Sequence, residues 1–347
     1  MPYPQIENLK SFLLKASLSG LLSGAFIYLL FNGDWKVYLL GIMIGFQVYS
    51  WIFLYEYFLE RKLKQFNFFL SLLTSTIFYV LIIIFSVITS MIIFNGFNFR
   101  ILQQEVLQQI FFSDAMLYGV VFGLFMSFLF SSYSMFDTLL GKNFLIKLFT
   151  GKYHKPFEEE RIFMFLDMKS STSIAEQIGH KKFLSLLNDF FYDLSIPVLE
   201  TGGEIYKYVG DEAIISWKMK RAIKNANPLK CFFMLQELIA QNSDKYLKLY
   251  NIVPQFKAGI HGGIVVTGEM GFIKKEITFL GDVMNTTARI EEACNEFNRQ
   301  LIISDVMLRK MLPADEYLFQ TLGEIKFRGK AVPVAISSVD KKINLLK

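Results

Sequence analysis

Four apolar runs in the first 140 residues decide what kind of structure this chain can adopt. They cover approximately residues 11–31, 37–58, 68–94 and 115–136, and each is long enough to cross about 30 Å of hydrocarbon as a helix of roughly 20 residues. The third and fourth carry no charge. Lys15 lies near one end of the first and Glu56 near one end of the second, where both reach the interface. Residues 1–140 hold 14 charged side chains, seven of each sign, whereas residues 141–347 hold 53 and supply the whole net charge of +5. A lipid-facing half therefore precedes a water-facing half. The first run is not read as a cleaved signal peptide, because it lacks a small-x-small cleavage site and another span follows almost at once.

Basic residues set the expected orientation. Lys10, the cluster Arg61, Lys62 and Lys64, and Lys142, Lys147, Lys152 and Lys155 flank one side; Lys36 and Arg100, each accompanied by acids, flank the other. The positive-inside rule then places both termini and the water-facing half in the cytoplasm, below a multi-pass inner membrane domain. Few charges lie within the spans, which argues against a transporter or channel. Gly20 and Gly24 have GxxxG spacing, a sign of close helix packing for which dimerisation is one use.

The expected domains are a four-helix transmembrane region at 1–140, a juxtamembrane linker at 141–160 around Pro156, and an α+β domain at 161–340. In the last, an apolar strand closes at Asp167 and helical periodicity runs from about Thr172 to Leu199. A hairpin follows, turning at Val209-Gly210-Asp211, then a helix near 228–241 and strands near 256–267 and 276–280. Gly281 opens a helix to about Cys294, and short strands near 301–304, 319–322 and 332–339 complete the domain. The order β-α-β-β-α-β with additions predicts a ferredoxin-like sheet with helices on one face.

Asp167 and Asp211 close neighbouring strand segments. An aspartate in a turn is most often a turn-former, but two at adjacent strand mouths suit paired Mg²⁺ ions, which favour one or two carboxylates plus phosphate oxygens. Cys231 and Cys294 have no CxxC partner and read as reduced, buried thiols. His154, His180 and His261 do not cluster at zinc-ligand spacing.

Three motifs go further: Phe165-Leu166-Asp167-Met168-Lys169-Ser170-Ser171-Thr172, Lys207-Tyr208-Val209-Gly210-Asp211, and Thr278-Phe279-Leu280-Gly281-Asp282-Val283-Met284-Asn285-Thr286-Thr287-Ala288-Arg289. Together and in this order they resemble the catalytic domain of class III adenylate and guanylate cyclases, over about residues 160–340. The resemblance implies conversion of a nucleoside triphosphate to its 3′,5′-cyclic monophosphate, with two Mg²⁺ or Mn²⁺ ions per site. It implies that Asp167 and Asp211 bind the metals, with the Met168 backbone carbonyl beside them. Lys207 and Thr278 fall on the base-selecting pair, and a lysine to adenine N1 with a threonine near the 6-amino group argues for ATP, as in the threonine-bearing bacterial subgroup. Asn285 would orient the ribose and Arg289 stabilise transition-state phosphate charge, although Arg289 alone reads most simply as a partner of Glu292. Gly323-Glu324-Ile325-Lys326-Phe327-Arg328-Gly329-Lys330 matches the segment supplying a cation to the terminal phosphates, through Arg328 or Lys330. The family's site lies between two catalytic domains, so one complete set per chain implies a homodimer. The expected partners are ATP, a second copy and membrane lipid, and no nucleic acid. A guanylate cyclase and a noncatalytic nucleotide-binding membrane sensor are the competing readings.

Overall fold

The computed structural model describes residues 9–31, 35–55, 68–94, 151, 153–273, 275–311, 316–326 and 333–342, with isolated positions besides. The chain divides into two compact units, one over the N-terminal helices to Leu140 and one from Gly141 onward.

In the first unit, helices α1 (Leu9–Phe31), α2 (Trp35–Tyr55) and α3 (Phe68–Phe94) contain three stretches long and apolar enough to cross a membrane. The expected fourth span at 115–136 lies outside the described residues, apart from isolated helical positions. Lipid tails give apolar helices no hydrophobic reason to associate, so close backbone approach and polar contacts must hold them together. Both are present. A Cβ on Gly24 would sit 2.9 Å from the Tyr38 carbonyl oxygen, one on Gly41 2.7 Å from the Gly24 Cα, and one on Gly45 2.7 Å from the Ser19 carbonyl oxygen. Gly20 faces Ile42 in the same way, so the two helices run antiparallel. The Gly20–Gly24 face is thus taken up by α2 of the same chain, which corrects its reading as a dimerisation surface. Ser19 donates to the Gly45 carbonyl at 3.1 Å. Between α2 and α3, Tyr55 and Ser75 share a hydrogen bond of 3.0 Å, and Thr89 donates to Gln47 Oε1 at 2.6 Å.

The second unit is built on β1 (Phe157–Met168). Its alternate residues feed two cores: Ile162, Met164, Leu166 and Met168 point into the larger, Phe163 and Phe165 into the smaller. Burial on both faces is what a continuous apolar run predicts for a central strand. Antiparallel β2 (Glu204–Val209), β3 (Glu212–Lys218), β1 and β4 (Phe256–Met270) give the order β2-β3-β1-β4, the ferredoxin-like arrangement. The sheet continues through β6 (Leu301–Ser304), parallel to β4, to β8 (Val334–Lys341) and β7 (Tyr317–Ile325), while β5 (Glu276–Leu280) pairs with the end of β4. β1 takes in residues 157–160, which the sequence reading assigns to the linker.

Helices α4 (Ser171–Ile178), α5 (His180–Glu200) and α7 (Asn227–Gln241) cover the larger core, with α6 (Met219–Ala222) and α8 (Ser243–Tyr250) beside them. The single helix expected over 172–199 is broken at Gly179, whose φ of 82° is a left-handed conformation that glycine adopts without Cβ strain. Helix α9 (Asp282–Glu296) lies on the opposite face, over Phe163, Phe165 and Val265, so the sheet has helices on both faces and not on one. Its approach is close: a Cβ on Gly259 of β4 would come within 2.3 Å of the Glu291 backbone nitrogen. Helix α10 (Asp305–Met311) returns to the larger core through Met307, Leu308 and Met311.

Both cysteines are buried and free, and burial pushes each thiol up to about 12. At pH 8 neither holds an appreciable thiolate fraction. Native protein should therefore show no rapid thiol reaction with a disulfide reagent, and both thiols should titrate once the protein is denatured. Fast labelling of either in the native state would contradict this packing.

Candidate active site

Asp167 occupies the last turn of the pleat in β1, opposite Glu212 of β3 and Lys257 of β4. The β2–β3 hairpin reverses at Gly210, whose φ of 63° tightens the turn, and so delivers Asp211 to the same end of the sheet. The two carboxyls are close enough to interact directly. Burial, with Asp211 beside it, pushes Asp167 above the usual carboxylate range despite an opposing ammonium. That ammonium belongs to Lys257, whose Nζ lies 3.0 Å from Asp167 Oδ2 and also pairs with Glu291 of α9. Lys257 is 6% exposed and Glu291 5%, so neither charge stands without its partner in this interior.

Sequence reading missed Lys257, Glu291 and Glu212. The signal was a lone lysine inside the apolar run Phe256–Ile260 and a lone glutamate within the apolar stripe of α9, each of which needs a buried counter-charge. Burial, with Glu291 and Asp167 nearby, brings Glu212 up to about 7. Asp167, Glu212 and Glu291 thus gather around Lys257, with Asp211 beside Asp167, an excess of negative charge that suits added cation. Among the described residues no group of three or more histidine, cysteine or acidic side chains is arranged to hold a metal ion. The Asp167–Asp211 pair offers instead the sparse carboxylate set that Mg²⁺ takes when phosphate and water complete its shell. The Met168 side chain is buried in the larger core, leaving only its backbone for a ligand role.

Lys207 is turned by a bulge. Ile205 and Tyr206 alternate toward the larger and the smaller core as strand residues do, and the β2–β3 register then slips so that Lys207 stands opposite Ile214. Lys207 Nζ then pairs with Glu276 Oε2 of β5 at 3.1 Å. Thr278 stands two residues along β5, on the same side of the strand as Glu276.

Asn285 and Arg289, one turn apart on α9, are both exposed, and Arg289 Nη1 donates to Glu292 Oε2 at 2.7 Å. They lie on the outward side of the helix whose inward residues include Ile290, Glu291 and Cys294. The structure therefore brings Asp167 and Asp211 together, and ties Lys207 to the strand of Thr278. It sets Asn285 and Arg289 on an outward surface, away from the Lys257–Glu291 contact. Arg328 and Lys330 lie outside the described residues.

A ferredoxin-like sheet extended by four further strands, with helices on both faces and an acid-rich strand mouth, defines an α+β domain. The chain belongs to the family described as adenylate and guanylate cyclase catalytic domain, whose model matches residues 153–340, more than half of the sequence. Adenylate cyclase 2 of Rhizobium meliloti (strain 1021) is 40% identical over 201 residues, which is 58% of this chain and 55% of that protein. An adenylate cyclase of Anabaena cylindrica is 25% identical over 186 residues, 51% of this chain and 36% of that one. The matched region thus spans only 55% and 36% of the length of these two relatives. A solved bacterial light-regulated adenylyl cyclase shares the fold, with a TM-score of 0.54 at 18% identity over 64% of this chain and 65% of its own.

Proposed function

We propose that the chain is a membrane-anchored adenylate cyclase, converting ATP to 3′,5′-cyclic AMP and pyrophosphate at a homodimer interface, with its catalytic domain and both termini cytoplasmic. The observation that carries this reading is the Asp167–Asp211 pair set in an acid-rich strand mouth within a cyclase-family domain. In the reaction, the ribose 3′-oxygen bonds to the α-phosphorus, the bond from that phosphorus to the bridging oxygen of the β-phosphate breaks, pyrophosphate leaves, and the hydroxyl proton is released. Asp167 and Asp211 would hold two Mg²⁺ or Mn²⁺ ions, which when bound lower the pKa of the 3′-hydroxyl and neutralise phosphate charge. Lys207 donates to adenine N1, and Thr278 or a neighbouring carbonyl accepts from the 6-amino group. Asn285 orients the ribose. Arg289 exchanges Glu292 for the phosphate as negative charge develops there, and Arg328 or Lys330 meets the terminal phosphates.

An exposed apolar strip supports the homodimer. Val266 stands opposite Leu280 and Gly268 opposite Thr278, so Ile264, Val266, Met270 and Leu280 share one side of the β4–β5 hairpin with the base-selecting threonine. Ile264 is 59% and Leu280 57% exposed. Contiguous apolar surface beside a half-built site is what a second copy would cover. The three long apolar helices support membrane anchoring, and the basic flanks support the orientation.

The deciding experiment is product analysis of purified full-length protein with ATP and GTP, each with Mg²⁺ and with Mn²⁺. Cyclic AMP should dominate. A predominance of cyclic GMP would establish a guanylate cyclase, and no cyclic product under any condition would favour a noncatalytic nucleotide-binding sensor.

A further inference from the structure

The β4–β5 hairpin ends in Gly271-Phe272-Ile273-Lys274-Lys275, beyond the last strand pair, Met270 with Glu276. Hairpin loops mostly take glycine, asparagine, aspartate and serine. Here Phe272 is 96% and Ile273 100% exposed, with Met270 beside them at 57%. Large apolar side chains gathered at a tip, with no core beneath them, mark a surface that meets something outside the domain.

Charge frames this tip. Lys274 and Lys275 follow the apolar pair directly, and Lys275 Nζ reaches back to Glu269 Oε2 at 3.3 Å. The juxtamembrane segment lies along the same hairpin. The Glu269 N–H donates to the Tyr153 carbonyl at 3.0 Å, His154 Nδ1 stands 3.0 Å from Glu269 Oε1, and a Cβ on Gly268 would meet Pro156 at 3.4 Å. Tyr153 is buried and stacks on Phe157, with ring centroids 5.7 Å apart, so this lead-in is packed in place. Residues 151–155 and 269–276 together carry Lys152, Lys155, Lys274 and Lys275 against Glu269 and Glu276, and both glutamates are ion-paired.

We propose that the 271–275 tip is a membrane-docking element, seating Phe272 and Ile273 in the headgroup region of an anionic bilayer with the lysines at its phosphates. Apolar side chains rimmed by lysine are what an interfacial segment presents to anionic lipid. The bilayer is the occupant because the chain carries three helices able to cross one, and the basic segment that follows them in sequence is laid on this hairpin. The strip offered to a second copy ends at Met270, where the tip begins. The inference rests on membrane anchoring and not on the reaction.

The test places a polarity-sensitive nitrobenzoxadiazole label at Ile273→Cys in the full chain, reconstituted in nanodiscs of phosphatidylcholine with or without phosphatidylglycerol and with nitroxide-bearing lipid. Cys231 and Cys294 are buried, so the new thiol alone takes the label. The expected emission is blue-shifted, and headgroup-level nitroxide should quench it at least about threefold more than the same label at Leu318→Cys, an exposed position on β7. Quenching should grow with phosphatidylglycerol and weaken in high salt. Phe272→Asp in the same background should remove most of it. A solvent-like emission, or equal quenching at the two positions, would overturn the proposal. So would a blue shift without lipid quenching, since a second copy then covers the tip. Equal quenching in phosphatidylcholine alone would overturn the choice of an anionic surface. Failure of the unlabelled chain to enter nanodiscs would overturn membrane anchoring instead, and is seen before any variant is made.

Discussion

Asp167→Asn and Asp211→Asn should each lower kcat for cyclisation by roughly a thousandfold or more, since under the proposed mechanism either change removes a carboxylate that would hold the metal ions. The fold should survive both. In D167N, Lys257 keeps its partner Glu291, so no buried charge is stranded, and the substitution relieves part of the acid crowding. Asp211 sits in a hairpin turn that asparagine also favours. The checks are single-turnover kinetics, thermal melting, and Mn²⁺ binding followed by electron paramagnetic resonance. Retained melting temperature with weakened Mn²⁺ binding and lost turnover is the expected pattern. Near-normal turnover in either variant would remove the metal assignment. Lys257→Met should behave differently: it strands Glu291 in the interior and leaves Asp167 facing Asp211 without its cation, so its main cost is stability, on the order of 3–5 kcal/mol.

That contrast shows where local sequence was informative. Asp167 was legible because it ends an apolar run, and Asp211 because it follows a glycine in a hairpin turn; both signals lie within a few residues. The apolar run of β1 and the helical periodicity of α5 were legible for the same reason. Lys257 and Glu291 were not, since what makes them meaningful is a pairing across 34 residues that only the β4–α9 approach over Gly259 creates. The position of α9 on the second face was equally hidden: its apolar stripe is satisfied by either side of a sheet whose central strand is apolar on both. The bulge between Ile205 and Lys207 broke no obvious pattern, yet it sets Lys207 opposite Ile214 where a regular register would give Ala213. In the membrane half, GxxxG spacing marked close packing correctly but did not name the partner, because a helix of the same chain and a helix of a second copy demand the same small residues.

The outward placement of Asn285 and Arg289 leads to the second large effect. If each site takes its aspartates from one chain and its arginine from the other, Asp167→Ala and Arg289→Ala homodimers are both inactive, since every site lacks one essential group. A mixed dimer contains one site with both groups intact and one lacking both. Co-expression with two affinity tags, followed by sequential purification, isolates that species even when subunit exchange in the membrane is slow. Its activity should approach about half that of the wild-type dimer, because one of two symmetric sites is restored. The D167A homodimer, in which neither site keeps Asp167, is the internal control and should stay inactive under the same purification. Inactivity in folded, verified mixed dimers would mean that each chain builds its own site. The outward face of α9 would then have to turn inward on substrate binding, against a backbone contact at Gly259 too tight to admit a Cβ.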